Sequence, residues 1–241
     1  NEGELMNQSK LFAVFAVLGS FSSAFADGPV QGGNVLPCSK EEFASISSLQ
    51  GSITKVVDGD TVGILFRGGN YRIRMVGIDT PETHFQGQSQ GYWGDVAAER
   101  LTRLLALGTR VRVRLSGEKC DSYGRILGEV FIAEKSMNDA QLISGHAVNY
   151  CIYPDEGCLE KSDLVREAIQ KGRGFYGAHP RLEQLPYVWR DTIRGTAPHR
   201  FLGNLRTHRV YPPGSFRSVP IADRIFFNTE ADIVAPYFLV R

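Results

Sequence analysis

Residues 51–65 read GSITKVVDGDTVGIL, with apolar and polar side chains alternating on both sides of Asp58-Gly59. This alternation predicts strands with one buried face, because successive side chains of a strand point to opposite faces of the sheet. Asp-Gly is a frequent turn dipeptide between antiparallel strands. The stretch therefore predicts a β-hairpin whose turn lies at Asp58-Gly59.

A third strand is predicted directly after the hairpin. Residues 66–70 (FRGGN) contain two glycines and an asparagine, which indicate a turn. Residues 71–78 (YRIRMVGI) then place Tyr71, Ile73 and Met75 on one face. The hairpin is thus extended to three strands in sequence.

Two more strands and three helices are predicted downstream. Strict alternation predicts a strand at residues 110–115, and a further strand is predicted at residues 125–132. Apolar residues at helical spacing, followed by a glycine, predict helices at residues 93–107, 136–144 and 161–171. This element order is typical of a mainly β, α+β fold, the five-stranded OB-fold Greek-key barrel with three peripheral helices.

The overall composition does not indicate a function, so any function must depend on a local group of residues. The chain has 241 residues and is 42% hydrophobic and 22% charged, which excludes a disordered or polytopic membrane protein. Lys and Arg number 27 against 26 Asp and Glu, a formal net charge of +1. Overall charge therefore does not indicate a polyanionic partner, and any nucleic-acid function must rest on a local site.

The N-terminus has the order of a secretory signal peptide. Lys10 supplies positive charge, residues 11–18 (LFAVFAVL) form a short apolar run, and Ala24-Phe25-Ala26 offers a cleavage site. The run is too short to span a bilayer, which takes about 20 residues. We predict that residues 1–26 are upstream residues plus a signal peptide. The mature protein is then secreted or periplasmic, without stable membrane association.

The remaining chain divides into three parts by composition. Residues 27–48 are rich in Gly, Pro and Ser and predict a leader segment, and residues 49–180 hold the predicted barrel. Residues 181–241 hold nine Arg and no Lys against five acidic residues. We interpret this last part as a basic C-terminal extension.

All four cysteines lie after the predicted cleavage site. An even number of cysteines in an oxidising compartment predicts two disulfides. Cys151 and Cys158 flank a tight Pro-Asp-Glu-Gly loop, which favours this pair and leaves Cys38 with Cys120. A zinc site is disfavoured because the sequence has no C-x-x-C pair.

Acidic residues come at the ends of the first three predicted strands. Asp60 shares the hairpin turn with Asp58, and Asp79 and Glu82 follow the third strand. Neighbouring strands can bring such positions together. Two carboxylates, a main-chain carbonyl and water suit a hard cation such as Ca²⁺.

Two arginines add phosphate-binding groups to this set. Arg74 lies on the third strand and Arg125 begins the fifth. A cation and two guanidinium groups balance charge on phosphoryl oxygens, and a spare carboxylate activates water, as phosphodiester cleavage requires. Singly, each feature also fits a structural role, as a turn, a helix N-terminus or a solvated strand face. Their combination favours the functional interpretation.

Four segments together resemble the staphylococcal nuclease (thermonuclease) family. They are VVDGDTV (56–62), YRIRMVGIDTPET (71–83), DSYGRILGEVF (121–131) and MNDAQLISGHAVNY (137–150). The resemblance covers about residues 50–171, and the combined motif is highly specific. It implies an OB barrel with three helices and a calcium-dependent nuclease that cleaves DNA and RNA and leaves 3′-phosphate products.

The resemblance also implies roles for single residues. Asp60 and Asp79 match carboxylate ligands of the catalytic Ca²⁺, with the carbonyl of Thr80 as a third ligand. Arg74 and Arg125 match the two arginines that bind the scissile phosphate and stabilise the pentacoordinate phosphorus.

Further matches concern the base and the nucleotide pocket. Glu82 matches the glutamate assigned as general base, which deprotonates the attacking water. Tyr123 and Tyr153 match aromatic residues that line the nucleotide pocket. Cys151 departs from the pattern, because the family's type member has a second tyrosine there.

The main alternative is a non-catalytic OB-fold protein that binds single-stranded nucleic acid through basic grooves and aromatic stacking. Binding alone does not require a general base, and all the matched catalytic positions are intact. We therefore expect a monomeric nuclease with Ca²⁺ as cofactor and DNA and RNA as substrates. Preference between DNA and RNA stays open.

The extension carries two weaker resemblances. Residues 186–190 (PYVWR) are similar to a Pro-Trp-x-Trp-Arg ending common in bacterial nucleases of this family. Residues 203–216 and 224–238 resemble a small metal-knuckle module, but Ser215 and Pro212 stand where its cysteine and histidine belong. We expect a ligand-free remnant, a basic module that tethers nucleic acid, or a surface extension packed on the barrel.

Overall fold

Runs of short strands, separated by helices, make up the part of the chain that the computed structural model describes, residues 34–152, 157–177 and 180–240. The predicted signal peptide lies outside these residues. The strands are β1 (Val35–Leu36), β2 (Ser48–Val56), β3 (Thr61–Phe66), β4 (Gly69–Met75), β5 (Gly77–Asp79), β6 (Arg110–Cys120), β7 (Ile126–Ile132), β8 (Lys135–Ser136), β9 (Val148–Ile152), β10 (Phe201–Asn204), β11 (Arg209–Tyr211), β12 (Arg224–Phe227) and β13 (Phe238–Leu239). The α-helices are α1 (Lys40–Phe43), α2 (Tyr92–Leu104), α3 (Met137–Ile143), α4 (Cys158–Gln170) and α5 (Pro186–Arg194). Within the described residues, no helix has both the length and the apolar character needed to cross a membrane.

Five of the strands close into a barrel. β4, β3, β2, β6 and β7 are hydrogen-bonded in that order. β4 also pairs in parallel with β7, where Ile73 lies opposite Ile126, and this pairing closes the cylinder. α2 lies between β5 and β6 in sequence, and α3 and α4 follow the last barrel strand, β7. The predicted OB-type barrel with three peripheral helices is confirmed.

The alternating apolar residues of the barrel strands fill its interior. Ile53, Val62, Ile64, Ile73 and Met75 have no exposed surface. Each such burial stabilises the fold by about 1.5–3 kcal/mol. The same alternation that predicts the strands therefore also predicts the core.

The predicted third strand is in fact two strands. β4 ends at Met75, and β5 begins at Gly77, whose φ of 74° lies in the left-handed region that favours glycine. β5 leaves the barrel and pairs with β9, where Asp79 lies opposite Val148. The N–H of Met75 donates to the carbonyl of Asp60 at 2.8 Å. The bend therefore lies beside the hairpin turn.

The described part of the predicted leader belongs to the barrel. β1 pairs in parallel with β4. Phe43 of α1 has no exposed surface, and its ring centroid lies 5.4 Å from that of Tyr71 in β4. The composition of residues 27–48 conceals this role, because one buried phenylalanine among polar residues leaves no periodic pattern.

Two disulfides join the described residues, in the pairing that the sequence favours. Cys38 is bonded to Cys120 and Cys151 to Cys158. The first ties the segment before α1 to the end of β6, and the second closes the short loop between β9 and α4.

The C-terminal extension is continuous with the barrel region. The second sheet has the order β13-β11-β10-β12-β9-β5, so strands of the extension continue a sheet that begins with β5. One buried cluster joins both parts of the chain; it includes Trp93, Val148, Phe175, Tyr187, Leu202 and Phe226. The predicted boundary at residue 180 therefore does not separate two hydrophobic cores.

Candidate active site

The hairpin turn and the end of β5 bring two buried carboxylates together. Asp60 is 6% exposed and Asp79 has no exposed surface. Oδ2 of Asp60 accepts a hydrogen bond from the N–H of Thr80 at 2.9 Å. Gly59 permits this close approach, because a Cβ there would lie 2.7 Å from Oγ1 of Thr80 and 2.8 Å from Cβ of Ala97. The three residues predicted as metal ligands therefore meet.

Arg74 reaches these carboxylates from β4. Its Nη2 lies 3.1 Å from Oδ1 of Asp79 and 3.3 Å from Oδ2 of Asp60. The same nitrogen donates to the carbonyl of Ile78 at 2.9 Å. Burial by itself lowers the pKa of Arg74, but the charges of Asp60 and Asp79 outweigh it and raise that pKa above its usual value. The guanidinium is therefore charged at every pH of interest.

Glu82 joins the same group through Arg190 of α5. Nη1 of Arg190 donates to Oδ1 of Asp79 at 2.8 Å and to Oε1 of Glu82 at 2.7 Å. Its Nη2 donates to Oδ2 of Asp79 at 2.9 Å. Sequence reasoning did not place Arg190 in the site. The available signal was the family-like ending at residues 186–190, which is conspicuous but carries no role by itself.

Asp58 is a second residue that sequence reasoning left without a role. Burial, together with the negative charges of Asp60 and Glu82, raises the pKa of Asp58 to about 8. Burial raises the pKa of Asp79 although Arg190 opposes it, and burial and the charge of Asp60 raise the pKa of Glu82. We call Asp58, Asp60, Asp79 and Glu82 the acidic cluster. Burial is the largest cause of the raised pKa values of Asp58, Asp79 and Glu82. The four carboxyls face two guanidinium groups, those of Arg74 and Arg190, so negative charge is in surplus.

The acidic cluster fits a hard divalent cation. Carboxylate oxygens are the ligands that Ca²⁺ prefers, and a dication would relieve the surplus negative charge. In residues 34–152, 157–177 and 180–240, no three side chains of His, Cys, Asp or Glu are arranged to hold a metal ion by themselves. A cation here therefore needs main-chain carbonyl and water oxygens besides the carboxylates.

Arg125 directly precedes β7, and Tyr123 lies in the turn before it. Nε of Arg125 lies 2.7 Å from Oδ2 of Asp121, and its Cζ lies 5.3 Å from the ring centroid of Tyr123. The guanidinium thus pairs with Asp121 and not with the acidic cluster. Tyr123 is 70% exposed, and its hydroxyl lies 3.5 Å from Nη2 of Arg194 in α5. Tyr153 lies outside the described residues.

The barrel and its site define the class of protein. A family model described as "Staphylococcal nuclease homologue" matches residues 72–176, a span that contains Arg74, Asp79, Glu82 and Arg125. The chain belongs to the staphylococcal nuclease family.

Individual relatives are also named as nucleases. An uncharacterized endonuclease of Escherichia coli is 30% identical over 145 residues, which cover 60% of this chain and 86% of that protein. Endonuclease YhcR of Bacillus subtilis is 28% identical over 193 residues; the match covers 76% of this chain but 16% of that relative's length. The thermonuclease of Staphylococcus intermedius is 35% identical over 86 residues, or 36% of this chain and 51% of that protein. The barrel is therefore a nuclease domain of the hydrolase class.

Proposed function

We propose that the protein is a secreted, monomeric, calcium-dependent endonuclease that hydrolyses phosphodiester bonds of DNA and RNA and leaves 3′-phosphate ends. The carrying observation is that Asp60, Asp79, Arg74 and Glu82 converge in one buried site with surplus negative charge. Buried carboxylates are costly to a fold, and a protein that only binds nucleic acid gains nothing from them. The names of the relatives support the same reaction class.

The metal ligands in this proposal are Asp60, Asp79 and the main-chain carbonyl of Thr80. When bound, Ca²⁺ supplies positive charge to the phosphate oxygens.

Arg74 and Arg125 are assigned to the phosphate. β4 and β7 are paired, with Arg74 opposite Leu127, and Arg125 comes directly before β7, so the two arginines belong to neighbouring segments. A guanidinium offers parallel N–H donors that match two oxygens of one phosphate. Both arginines then stabilise the pentacoordinate phosphorus, where the negative charge on the oxygens is largest.

Glu82 is assigned as the general base. Its carboxylate accepts a proton from water, the water oxygen forms a bond to phosphorus, and the bond from phosphorus to the 5′ oxygen breaks, after which that oxygen takes a proton from solvent and leaves as a hydroxyl. The raised pKa of Glu82 makes its carboxylate a stronger base than a solvated glutamate. Tyr123, exposed beside Arg125, is assigned to the nucleotide, and Tyr153 keeps the same predicted role.

Secretion rests on the predicted signal peptide and on the disulfides. Disulfides persist in oxidising compartments and are rare in the bacterial cytosol. Both disulfides in the described residues fit such a compartment.

Digestion of labelled DNA and RNA by the full chain, with Ca²⁺ or with excess chelator, tests the proposal. We expect cleavage with Ca²⁺, none with chelator, and 3′-phosphate ends on the products. Retention of single strands without cleavage in Ca²⁺ would contradict the proposal and support the non-catalytic OB-fold alternative.

We predict that Glu82→Gln and Arg125→Lys each fold normally and lose about 10²–10⁴-fold in turnover. Glutamine cannot accept the proton, and lysine keeps the charge but lacks the planar fork. Glu99→Gln and Arg103→Lys are the matched controls, since this pair lies exposed on α2, and we expect them to keep full activity. Initial rates on an oligonucleotide, with circular dichroism to confirm folding, decide the outcome; a variant with wild-type turnover excludes its residue from the mechanism.

A further inference from the structure

We infer that Arg190 is a positioning residue for Glu82, so that the C-terminal extension completes the active site of the barrel. The inference rests on the proposed role of Glu82 as general base. It is carried by the contacts of one guanidinium with two carboxylates that belong to different parts of that site.

The contacts fix Glu82 relative to Asp79. Both terminal nitrogens of Arg190 bind Asp79, at 2.8 and 2.9 Å, which sets the plane of the guanidinium. The nitrogen at 2.8 Å also binds Oε1 of Glu82 at 2.7 Å. Asp79 has no exposed surface and is held in the β5–β9 ladder, so it provides a fixed reference point. The carboxylate of Glu82 is thereby placed beside a predicted metal ligand.

The side chain of Glu82 depends on this contact. The main chain of Glu82 is held by Gln90, whose Oε1 accepts from the Glu82 N–H at 3.1 Å and whose N–H donates to the Glu82 carbonyl at 2.9 Å. The carboxylate itself has Arg190 as its hydrogen-bond partner within the described part of the chain. A base misplaced by about 1 Å loses about 10²-fold in rate. Without Arg190, the glutamate would keep its backbone position but not its side-chain direction.

The helix that carries Arg190 is anchored firmly enough for this task. Tyr187 of α5 is 6% exposed, its ring stacks on Tyr150 with centroids 5.7 Å apart, and its hydroxyl accepts from Nη1 of Arg224 at 2.5 Å. Arg190 follows Tyr187 by three residues and so lies on the same side of the helix. Its Cζ lies 5.9 Å from the ring centroid of Tyr150. The guanidinium is therefore placed by packed elements.

A positioning role and a purely structural role predict different effects on cation binding. The positive charge of Arg190 lies next to Asp79 and opposes a dication there. If Arg190 acts by directing Glu82, its removal leaves Ca²⁺ affinity unchanged or higher. If Arg190 only holds the site together, its removal weakens Ca²⁺ binding along with turnover.

The experiment uses the full chain with Arg190→Ala and Arg190→Lys, and with Arg103→Ala as control. For both Arg190 variants we expect kcat to fall about 10²-fold while KM for an oligonucleotide changes less than about threefold. Ca²⁺ affinity, measured by isothermal titration calorimetry, should stay equal or rise. Free guanidinium ion should partly restore the turnover of Arg190→Ala. Should Arg190→Ala fail to fold, Arg190→Lys carries the same test, because it keeps the charge without the fork.

A double-mutant cycle decides whether Arg190 acts through Glu82. We expect Glu82→Gln combined with Arg190→Ala to be no slower than Glu82→Gln alone, because the base that Arg190 directs is already absent. If the double variant loses as much turnover as the product of the two single losses, the inference is overturned. A Ca²⁺ affinity of Arg190→Ala reduced tenfold or more would also overturn it. Full activity of Arg190→Ala beside an impaired Glu82→Gln would overturn the inference alone, whereas wild-type turnover of Glu82→Gln would overturn the proposed function as well.

Discussion

The carboxylate of Asp79 is completely buried, and its burial determines which groups must surround it. A buried carboxylate persists only where charged or hydrogen-bonding partners compensate it. Arg74 and Arg190 do so from two separate elements, β4 and α5. Removing one partner of a buried ion pair commonly costs about 3–5 kcal/mol. Single residues of this candidate site therefore also stabilise the fold.

At the same scale, His146 predicts a dependence of stability on pH. Its ring packs against Trp93 with centroids 6.0 Å apart, and Nδ1 lies 2.9 Å from Oγ of Ser144. Burial, assisted by the charge of Arg100, lowers the pKa of His146 to about 4. Below pH 6.5, the usual histidine pKa being about 6.5, His146 binds a proton in the unfolded chain but stays neutral in the folded protein. We predict that His146 lowers the free energy of unfolding as the pH falls from about 6.5 to about 4, by about 1–2 kcal/mol after allowance for solvent screening of this partly exposed ring.

Urea unfolding of wild type and His146→Gln across this pH range checks the prediction. Carboxyls also titrate there, so the difference between the two profiles isolates the histidine. The wild-type stability should fall more steeply with acid than that of the variant. His84→Gln, a substitution in an exposed loop, controls for the mutation itself, and parallel profiles for wild type and His146→Gln would refute the assignment.

At the scale of elements, short segments with unusual backbone position the long ones. Gly145 follows α3 with a φ of 72°, and a Cβ there would lie 2.1 Å from the carbonyl oxygen of Arg173. The N–H of Phe175 donates to the carbonyl of Gly145 at 3.0 Å. The exit of α3 and the chain after α4 therefore meet backbone to backbone, at a distance only glycine permits.

We predict that Gly145→Ala destabilises the protein far more than Gly108→Ala. Gly108 has a similar φ of 80°, but a Cβ there would meet nothing within 4 Å. The control thus isolates backbone strain, about 1–2 kcal/mol, from the steric clash. Gly145→Ala should cost at least about 2 kcal/mol more, measured by chemical denaturation. Equal losses would show that the contact relaxes without cost.

At the scale of the whole molecule, the extension and the barrel share buried charge as well as apolar surface. Asp223 of the extension is 4% exposed and accepts a hydrogen bond from Oγ of Ser162 in α4 at 2.9 Å. Arg166 of α4 pairs with the same carboxylate. Because the second sheet also runs from β5 into the extension, the site and the C-terminal residues belong to one folded body.

This arrangement predicts a single cooperative unfolding transition. The chain has two tryptophans: Trp93 lies in α2, and Trp189 lies in α5, where its ring is 6.2 Å from that of Phe85. Single-tryptophan variants, Trp93→Phe and Trp189→Phe, each report one part of the molecule. Each variant should show the same midpoint in urea by fluorescence as by circular dichroism.

Leu202→Ala sharpens this test. Leu202 of β10 has no exposed surface and lies in the cluster shared with Trp93, so its truncation should cost about 2–5 kcal/mol. We expect the midpoints of both tryptophan reporters to fall together. A fall confined to Trp189 would contradict a shared core and make the extension a separate unit.

The sequence by itself determined the barrel and most of its site. Alternating side chains predict β2, β3, β4 and β6, because every second side chain along a strand with one buried face is apolar. The carboxylates at Asp60 and Asp79 were visible for a related reason: each stands where a predicted strand ends. The local sequence pattern was therefore sufficient for residues whose place in the fold depends only on their position along one strand.

Only the tertiary structure decided the roles of the extension. β12 is four residues long and buried on both faces, so its sequence shows no alternation of apolar and polar residues that would predict a strand. The contact between Arg190 and Asp79 spans 111 residues of sequence. No local spacing encodes such a pair, because it forms only when the second sheet brings α5 to the end of β5. Electrostatic compensation of a buried charge acts through space, whereas sequence patterns report only what is near along the chain.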